Sequence, residues 1–254
     1  MSTRIAVLSD MHGNVVALEA VRKAVNREKP DVVLIAGDIV MNGPEPGATV
    51  DVVRTMESNG AIVVQGNTDI AVADADYAAA YPWLSDYGVP DSITDAAEWA
   101  HDALEDEHLG WLRRLPAERR VRIGDDLVLV THASPGSQTQ GFDQNLDPST
   151  ITERMSRTDA KVICCGHTHI PEVREFGWKV IVNAGSAGYA FDGDPTASWA
   201  LVTLDGGGEE GSTVTAEIRR VEYDTIAVSN AISARGLAGD VYRAATVRTG
   251  KLVR

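Results

Sequence analysis

Five short apolar runs in this chain each stop at a residue able to bind a metal ion. AVLSDMH ends on Asp10 and His12, VLIAGD on Asp38, IVVQGN on Asn67, LVLVTH on His132, and VICCGHTH on His167 and His169. Carboxylate oxygen, amide oxygen and imidazole nitrogen form a donor set suited to manganese, iron or zinc. Seven side chains are too many for one ion but suit two ions sharing a bridging carboxylate, and Asp38, alone on its run, is the candidate bridge. Asp10 and His12, like His167 and His169, are two residues apart, so in extended backbone both members of a pair would face one way. Gly37, Gly66 and Gly166 stand just before Asp38, Asn67 and His167, where a residue without Cβ permits a sharp turn and a close approach. Cys164 and Cys165 are expected to be structural. Strand parity would put Cys165 on the side of His167 and His169, but oxygen and nitrogen donors already fill two shells, and buried free cysteine commonly serves as a small core residue.

Such endings need strands whose carboxyl ends lie together. The runs RIAVLS, DVVLIA, AIVVQ, DLVLVT and KVICC are apolar and rich in β-branched residues, as buried strands are. Residues 15–28 carry apolar positions at helical spacing (Val15, Ala17, Leu18, Val21, Val25), and 46–58 do the same after a Pro-Gly loop. Asn14 stands where it would cap the first of these helices. Strand alternating with helix implies a parallel sheet with right-handed crossovers, and the carboxyl ends of such strands border the crevice where ligands bind. A mostly helical, acidic segment follows at about 69–115. EVREF, KVIV, SWALVTL and STVTAEIRRV then read as antiparallel strands, with 205–212 as a hairpin loop. The expectation is one α/β domain over 1–254, two packed sheets with helices outside and a cap-like helical segment.

Of 254 residues, 44% are hydrophobic and 24% charged, ordinary values for a globular protein. No apolar run approaches the roughly 18 residues of a membrane span. With no leader-like layout at the start and only two cysteines, adjacent to each other, the expected setting is the reducing cytoplasm. Net charge is −14, and twelve acids fall between Arg54 and Arg113 with no Lys or Arg among them. Bulk charge therefore argues against nucleic acid as a partner. From Arg235 to Arg254 five basic residues face one acid, Asp240. This basic tail and the acidic segment are expected to meet within one subunit or between subunits of a homo-oligomer.

Taken together, DMHGN (10–14), GDIVMNGP (37–44), GNTD (66–69), THASP (131–135) and GHTH (166–169) resemble the five sequence blocks of the calcineurin-like metallophosphoesterase superfamily. NAGSAG (183–188) is similar to a loop of its small bacterial and archaeal phosphodiesterase branch, with Ala184 in place of proline. The resemblance implies a four-layer α/β/β/α sandwich of two mixed sheets. It assigns Asp10, His12, Asp38 and His169 to one divalent ion, and Asp38, Asn67, His132 and His167 to a second, with Mn, Fe or Zn as the metals. It also implies hydrolysis of small phosphate esters, nucleotides among the candidates, by in-line attack of a metal-bridging hydroxide. Asn42, Thr68, Asp69 and His132 are the expected catalytic residues. Asn42 is a candidate donor to a phosphoryl oxygen, with a turn role as the alternative, and Asp69 is expected to orient a ligand or water. Thr68 occupies a position where many relatives have a histidine, and it cannot donate a proton as imidazolium does. That departure points to diesters over monoesters. His101 and His108 could substitute for it, but are expected to be surface helix residues. The competing reading is a weakly active protein-binding scaffold on the same fold. Thr68 favours it, and the intact ligand set opposes it.

Overall fold

The computed structural model of the protein describes residues 2–206 and 212–254. The expected hairpin loop at 205–212 falls largely outside those residues, but the strands on either side of it do not. The first sheet has the order β10-β9-β1-β2-β3, built from β1 (Ser2–Leu8), β2 (Val32–Ile35), β3 (Ile62–Val63), β9 (Ala197–Asp205) and β10 (Thr213–Val221). Strands β1, β2 and β3 are parallel, whereas β9 runs antiparallel to β1, and β10 to β9. The second sheet has the order β4-β5-β6-β8-β7, from β4 (Glu118–Ile123), β5 (Asp126–Thr131), β6 (Val162–Cys165), β7 (Glu172–Phe176) and β8 (Lys179–Asn183). Its middle strands β5, β6 and β8 are parallel, and its edges β4 and β7 are antiparallel.

Period-two alternation sorts each strand's side chains into two layers. Ile5, Val7, Leu34 and Ala36 of the first sheet meet Val128, Val130, Val162, Cys164, Val180 and Val182 of the second in the central core. The alternate residues Ala6, Leu8 and Ile35 face outward onto α1 (Val15–Glu28) and α2 (Pro46–Ser58) through Leu18, Val21, Val25, Val50 and Val53. On the far side Leu129, Ile163, Cys165 and Ile181 pack against α7 (Pro148–Ser156) through Ile151 and Met155. The result is the four-layer α/β/β/α sandwich. Asn14 caps α1, its Oδ1 accepting from Ala17 N at 3.1 Å.

The acidic segment forms α3 (Asn67–Asp74), α4 (Tyr77–Ala80), a short 3₁₀ turn, α5 (Asp91–Asp102) and α6 (Asp106–Arg114). Its Ala96, Ala100, Leu109, Trp111 and Leu112 join the same outer core as α1 and α2. The C-terminal residues fold as α8 (Thr225–Arg235) and α9 (Asp240–Thr249), which enclose Val228, Ile232, Ala244 and Val247 with Tyr189. Basic tail and acidic segment do meet within the chain. Arg235 lies over the Trp99 ring of α5 at 4.6 Å, and Arg243 donates to the Ser92 carbonyl.

Three local expectations need correction. Cys165 does not share the side of His167 and His169, because the strand ends at Cys165 and both histidines have left-handed backbone, with φ of +69° and +58°. It faces outward into the α7 layer, and its neighbour Cys164 lies between the sheets. His108 is buried, not on the surface, with Nε2 3.1 Å from Asp51 Oδ1 of α2. Strand β4, whose alternation of Arg119, Arg120 and Arg122 with Val121 and Ile123 carries little apolar weight, was not anticipated.

Candidate metal centre

All seven proposed ligands sit just past the carboxyl end of a strand, and they come from both sheets. Asp10 and His12 follow β1, Asp38 follows β2 and Asn67 opens α3 after β3, while His132 follows β5, and His167 and His169 follow β6. The backbone that carries them is not extended, so the two-residue spacing acts differently from the strand argument. Asp10, His12 and Asp38 have φ of +57°, +52° and +52°, and Met41 and Asn42 follow at +78° and +68°. Seven of the nine non-glycine residues with positive φ among the described residues belong to these loops. Side chains in this region carry a steric penalty of order 1–2 kcal/mol each, retained only where surrounding contacts over-determine the backbone. Here the contacts are mutual. Asp10 N donates to Gly37 O, His12 N to Asp38 O and Gly13 N to Ile39 O, at 2.8–3.0 Å, stitching the first loop to the second.

The glycines before the ligands are required by space. A Cβ on Gly66 would collide with the Asp38 carboxylate, and one on Gly166 with Ser9 and the Asp10 carboxylate. Ser186 of the 183–188 loop donates through Oγ to the Asp10 carbonyl at 2.7 Å, and Asn183 Nδ2 donates to Gly166 O at 2.9 Å, so that loop braces both ligand-bearing turns.

Ligand atoms of Asp10, His12, Asp38 and His169 all lie within 4.8 Å of one another, and all four residues are buried. The Nε2 atoms of His12 and His169 are 3.2 Å apart. Asp10 Oδ1 is buried without a hydrogen-bond partner among the described residues, 3.3 Å from His169 Nε2. Beside this group Asn67 Oδ1 stands 3.1 Å from both His132 Nε2 and His167 Nδ1, which are themselves 3.2 Å apart. Asp38 touches both groups, with Oδ2 3.5 Å from His12 Nε2 and Oδ1 3.4 Å from His132 Nε2. Converging lone pairs and an orphaned carboxylate oxygen in a buried site are what a divalent cation satisfies, and the donor set fits one.

Neighbours fix the tautomers. His132 Nδ1 donates to Ala36 O at 2.7 Å and His169 Nδ1 to Tyr189 O, leaving each Nε2 lone pair aimed at the cluster. Burial pushes the His169 imidazole down to about 4 and lowers that of His167, both in the direction of a neutral ligand. Burial alone would lift the Asp10 carboxyl, but His169 and the other imidazoles outweigh it and hold it ionised well below the usual carboxylate range. For His12, the pull of Asp10 and Asp38 outweighs the burial that opposes it, and its imidazole is raised.

The remaining predicted site residues are also in or beside these loops. Thr68 is buried, its N donating to Asp38 Oδ1 at 2.9 Å and its hydroxyl to Val40 O at 3.1 Å. Asp69 accepts from Ile39 N, Val40 N and Gly66 N, and burial, reinforced by Asp38, pushes its carboxyl up to about 7. Its carboxylate thereby ties the Asp38 turn to the Asn67 turn. Asn42 is engaged at both ends of its amide, with Oδ1 accepting from Arg243 Nε at 3.1 Å and Nδ2 3.3 Å from His12 Nδ1. His101 Nδ1 bonds Val72 O, and neither it nor His108 contacts the cluster. Sequence reasoning missed Arg235 and Arg243. Nothing in their spacing announces a contact roughly 200 residues away.

Residues 3–207 match the model of the calcineurin-like phosphoesterase superfamily domain. The chain belongs to that superfamily. Among curated proteins it is 27% identical, over 88% of its length and 89% of the other's, to an uncharacterized protein of Methanocaldococcus jannaschii. Among solved structures it is similar to a metallophosphoesterase from Sphaerobacter thermophilus, at 28% identity, 98% and 100% coverage and a TM-score of 0.72. A hypothetical protein from Pyrococcus horikoshii OT3 shares the fold, with 21% identity, 98% coverage of both chains and a TM-score of 0.82. Membership and the buried Asp/His cluster together support a metal-dependent phosphoesterase, a hydrolase. Among the described residues no helix of this superfamily member is long and apolar enough to cross a membrane.

Proposed function

We propose that the chain hydrolyses small phosphate esters, diesters in preference to monoesters, at a centre of two divalent ions. Asp10, His12, Asp38 and His169 would hold one ion, and Asp38, Asn67, His132 and His167 the other. The observation that carries this reading is the carboxylate of Asp38, whose two oxygens face two different groups of imidazoles at 3.5 and 3.4 Å. When bound, paired divalent ions bind and polarise phosphoryl oxygens and make water a competent nucleophile at neutral pH. The chain's own contribution is orientation. Thr68 N holds the Asp38 carboxylate, Ala36 O and Tyr189 O set the tautomers of His132 and His169, and the Asp69 side chain ties the Asp38 turn to the Asn67 turn.

Preference for diesters has two supports. Thr68 has its hydroxyl committed to Val40 O, so position 68 offers no proton to a poor leaving group, help that elsewhere contributes about 10²- to 10⁴-fold. A monoester near neutral pH also carries close to two charges, since its second pKa is about 6. A diester carries one, the lighter load for a protein of net charge −14. Assaying a chromogenic diester and monoester with Mn²⁺, before and after chelation, tests the reading. Diester turnover that vanishes with chelator and returns with metal is expected. Metal-loaded protein inert toward both esters would overturn it in favour of the scaffold.

A further inference from the structure

His169 is gripped in three ways by one short stretch of chain. Its Nδ1 donates to Tyr189 O, its carbonyl accepts from Phe191 N at 3.3 Å, and its ring lies flat against the ring of Phe191. The two ring centroids are 4.0 Å apart and the planes are 3° from parallel. Tyr189 meets the same imidazole edge-on at 5.9 Å, and His12 edge-on at 5.6 Å. Phe191 is half-buried and packs against the cluster of Tyr189, Val228, Ile232, Ala244 and Val247 that α8 and α9 enclose. That packing fixes where the phenyl ring stands.

Filling space does not call for this arrangement. Aromatic pairs ordinarily sit offset or edge-to-face with centroids about 4.5–7 Å apart, because the faces of both rings are negative. Flat stacking at closer range becomes favourable when one ring carries positive charge, since a cation is drawn to a phenyl face. With the Nδ1–H given to Tyr189 O, the Nε2 lone pair of His169 points into the cluster, 3.3 Å from Asp10 Oδ1. Ligation of a divalent ion through that lone pair would make the ring electron-poor, the state that a phenyl face stabilises. The second group of imidazoles has no such partner. Among the described residues, His132 and His167 meet each other edge-on at 5.0 Å and stack on no other ring.

We propose that Phe191 is a positioning residue of the metal centre, whose ring holds the plane of His169 and favours the ligated form of that imidazole over the free one. The inference rests on the two-ion reading above and concerns only the ion assigned to Asp10, His12, Asp38 and His169.

The test is titration of metal-free full-length protein with Mn²⁺ by calorimetry, with bound metal counted by elemental analysis. Wild type should take up two ions. Phe191→Leu keeps most of the apolar volume and loses the ring face, and it should weaken one ion by about 5- to 30-fold while leaving the other nearly unchanged. Phe191→Tyr keeps the face and should match wild type for both ions. Should Phe191→Leu fail to fold, Phe191→Met carries the same comparison. A residue that only fills space would, when replaced, lower the melting midpoints of metal-free and metal-loaded protein equally and leave both affinities alone, and that result overturns the proposal. Losses shared by both ions, or a Tyr variant as weak as the Leu variant, overturn it as well. Wild type that binds fewer than two ions would instead remove the two-ion reading, so the two failures are distinguishable.

Discussion

Asp38 is the residue whose loss should be felt most widely, because each of its oxygens serves a different cluster of imidazoles. On the proposed two-ion reading, Asp38→Ala is expected to release both ions, counted by elemental analysis. Activity should fall by more than the roughly 100-fold that removal of an outer partner brings. A variant that kept both ions would show that the bridge lies elsewhere. Thr68 makes a smaller claim. Its hydroxyl holds Val40 O, so Thr68→Val should remove a buried hydrogen bond at a cost of about 1–3 kcal/mol. In a chain of this size that is a drop of several degrees in melting midpoint, read by calorimetry, at about 2–4 °C per kcal/mol. The cysteines give a third test. Burial pushes the Cys164 thiol up to about 12 and raises Cys165 as well, so at neutral pH both are un-ionised, and the thiolate is the reactive form. A thiol reagent should find neither in the native protein and both after denaturation. Fast labelling of folded protein would show that these side chains reach solvent.

The strand ends are where sequence and structure part company in an instructive way. Helices α1 and α2 were legible to the residue, because Asn14 and Pro46 mark their starts and the apolar spacing runs unbroken between the ends. The residues that gather at the strand ends were legible because chemistry is written in residue types, and their role as ligands is our proposal. The backbone that presents them was not legible. Extended geometry was the natural reading of Asp10-x-His12, yet both residues are left-handed, a state forced by the pairing of the 10–13 and 37–39 loops, which no local pattern encodes. The assignment of β9 and β10 to the first sheet, and the docking of Arg243 on Asn42, are likewise long-range facts. Gly66 shows the difference between torsional and spatial demand. Its φ and ψ of −97° and 175° suit any residue, but a Cβ would strike Asp38. Gly66→Ala should therefore displace the Asp38 carboxylate, at an overpacking cost of about 1–3 kcal/mol, and lower metal occupancy. Unchanged occupancy by elemental analysis would mean the loop yields freely.

At the scale of the whole molecule, charge sets the company the protein keeps. Net charge of −14, with twelve acids in one stretch, should keep duplex DNA unbound even at low salt, and a gel-shift titration checks this. We propose that residues 1–254 form one domain, because α5 and α6 bury Ala96, Leu109 and Leu112 in the core that α1 and α2 also line. Ligands drawn from both sheets have a mechanical corollary. The central core joins the two sheets by apolar contact. Ions gripped by Asp10, His12 and Asn67 on one side and by His132, His167 and His169 on the other would rivet the two halves at the open end of the sandwich. Saturating the site at 100 times its Kd would add about 2.7 kcal/mol to stability. A chelator should then lower the melting midpoint by roughly 5–10 °C. The catalytic apparatus is in that sense also a clasp. A cell short of the metal would hold a looser protein, easier to pry apart and degrade, so its abundance would follow the supply of the ion that its chemistry needs.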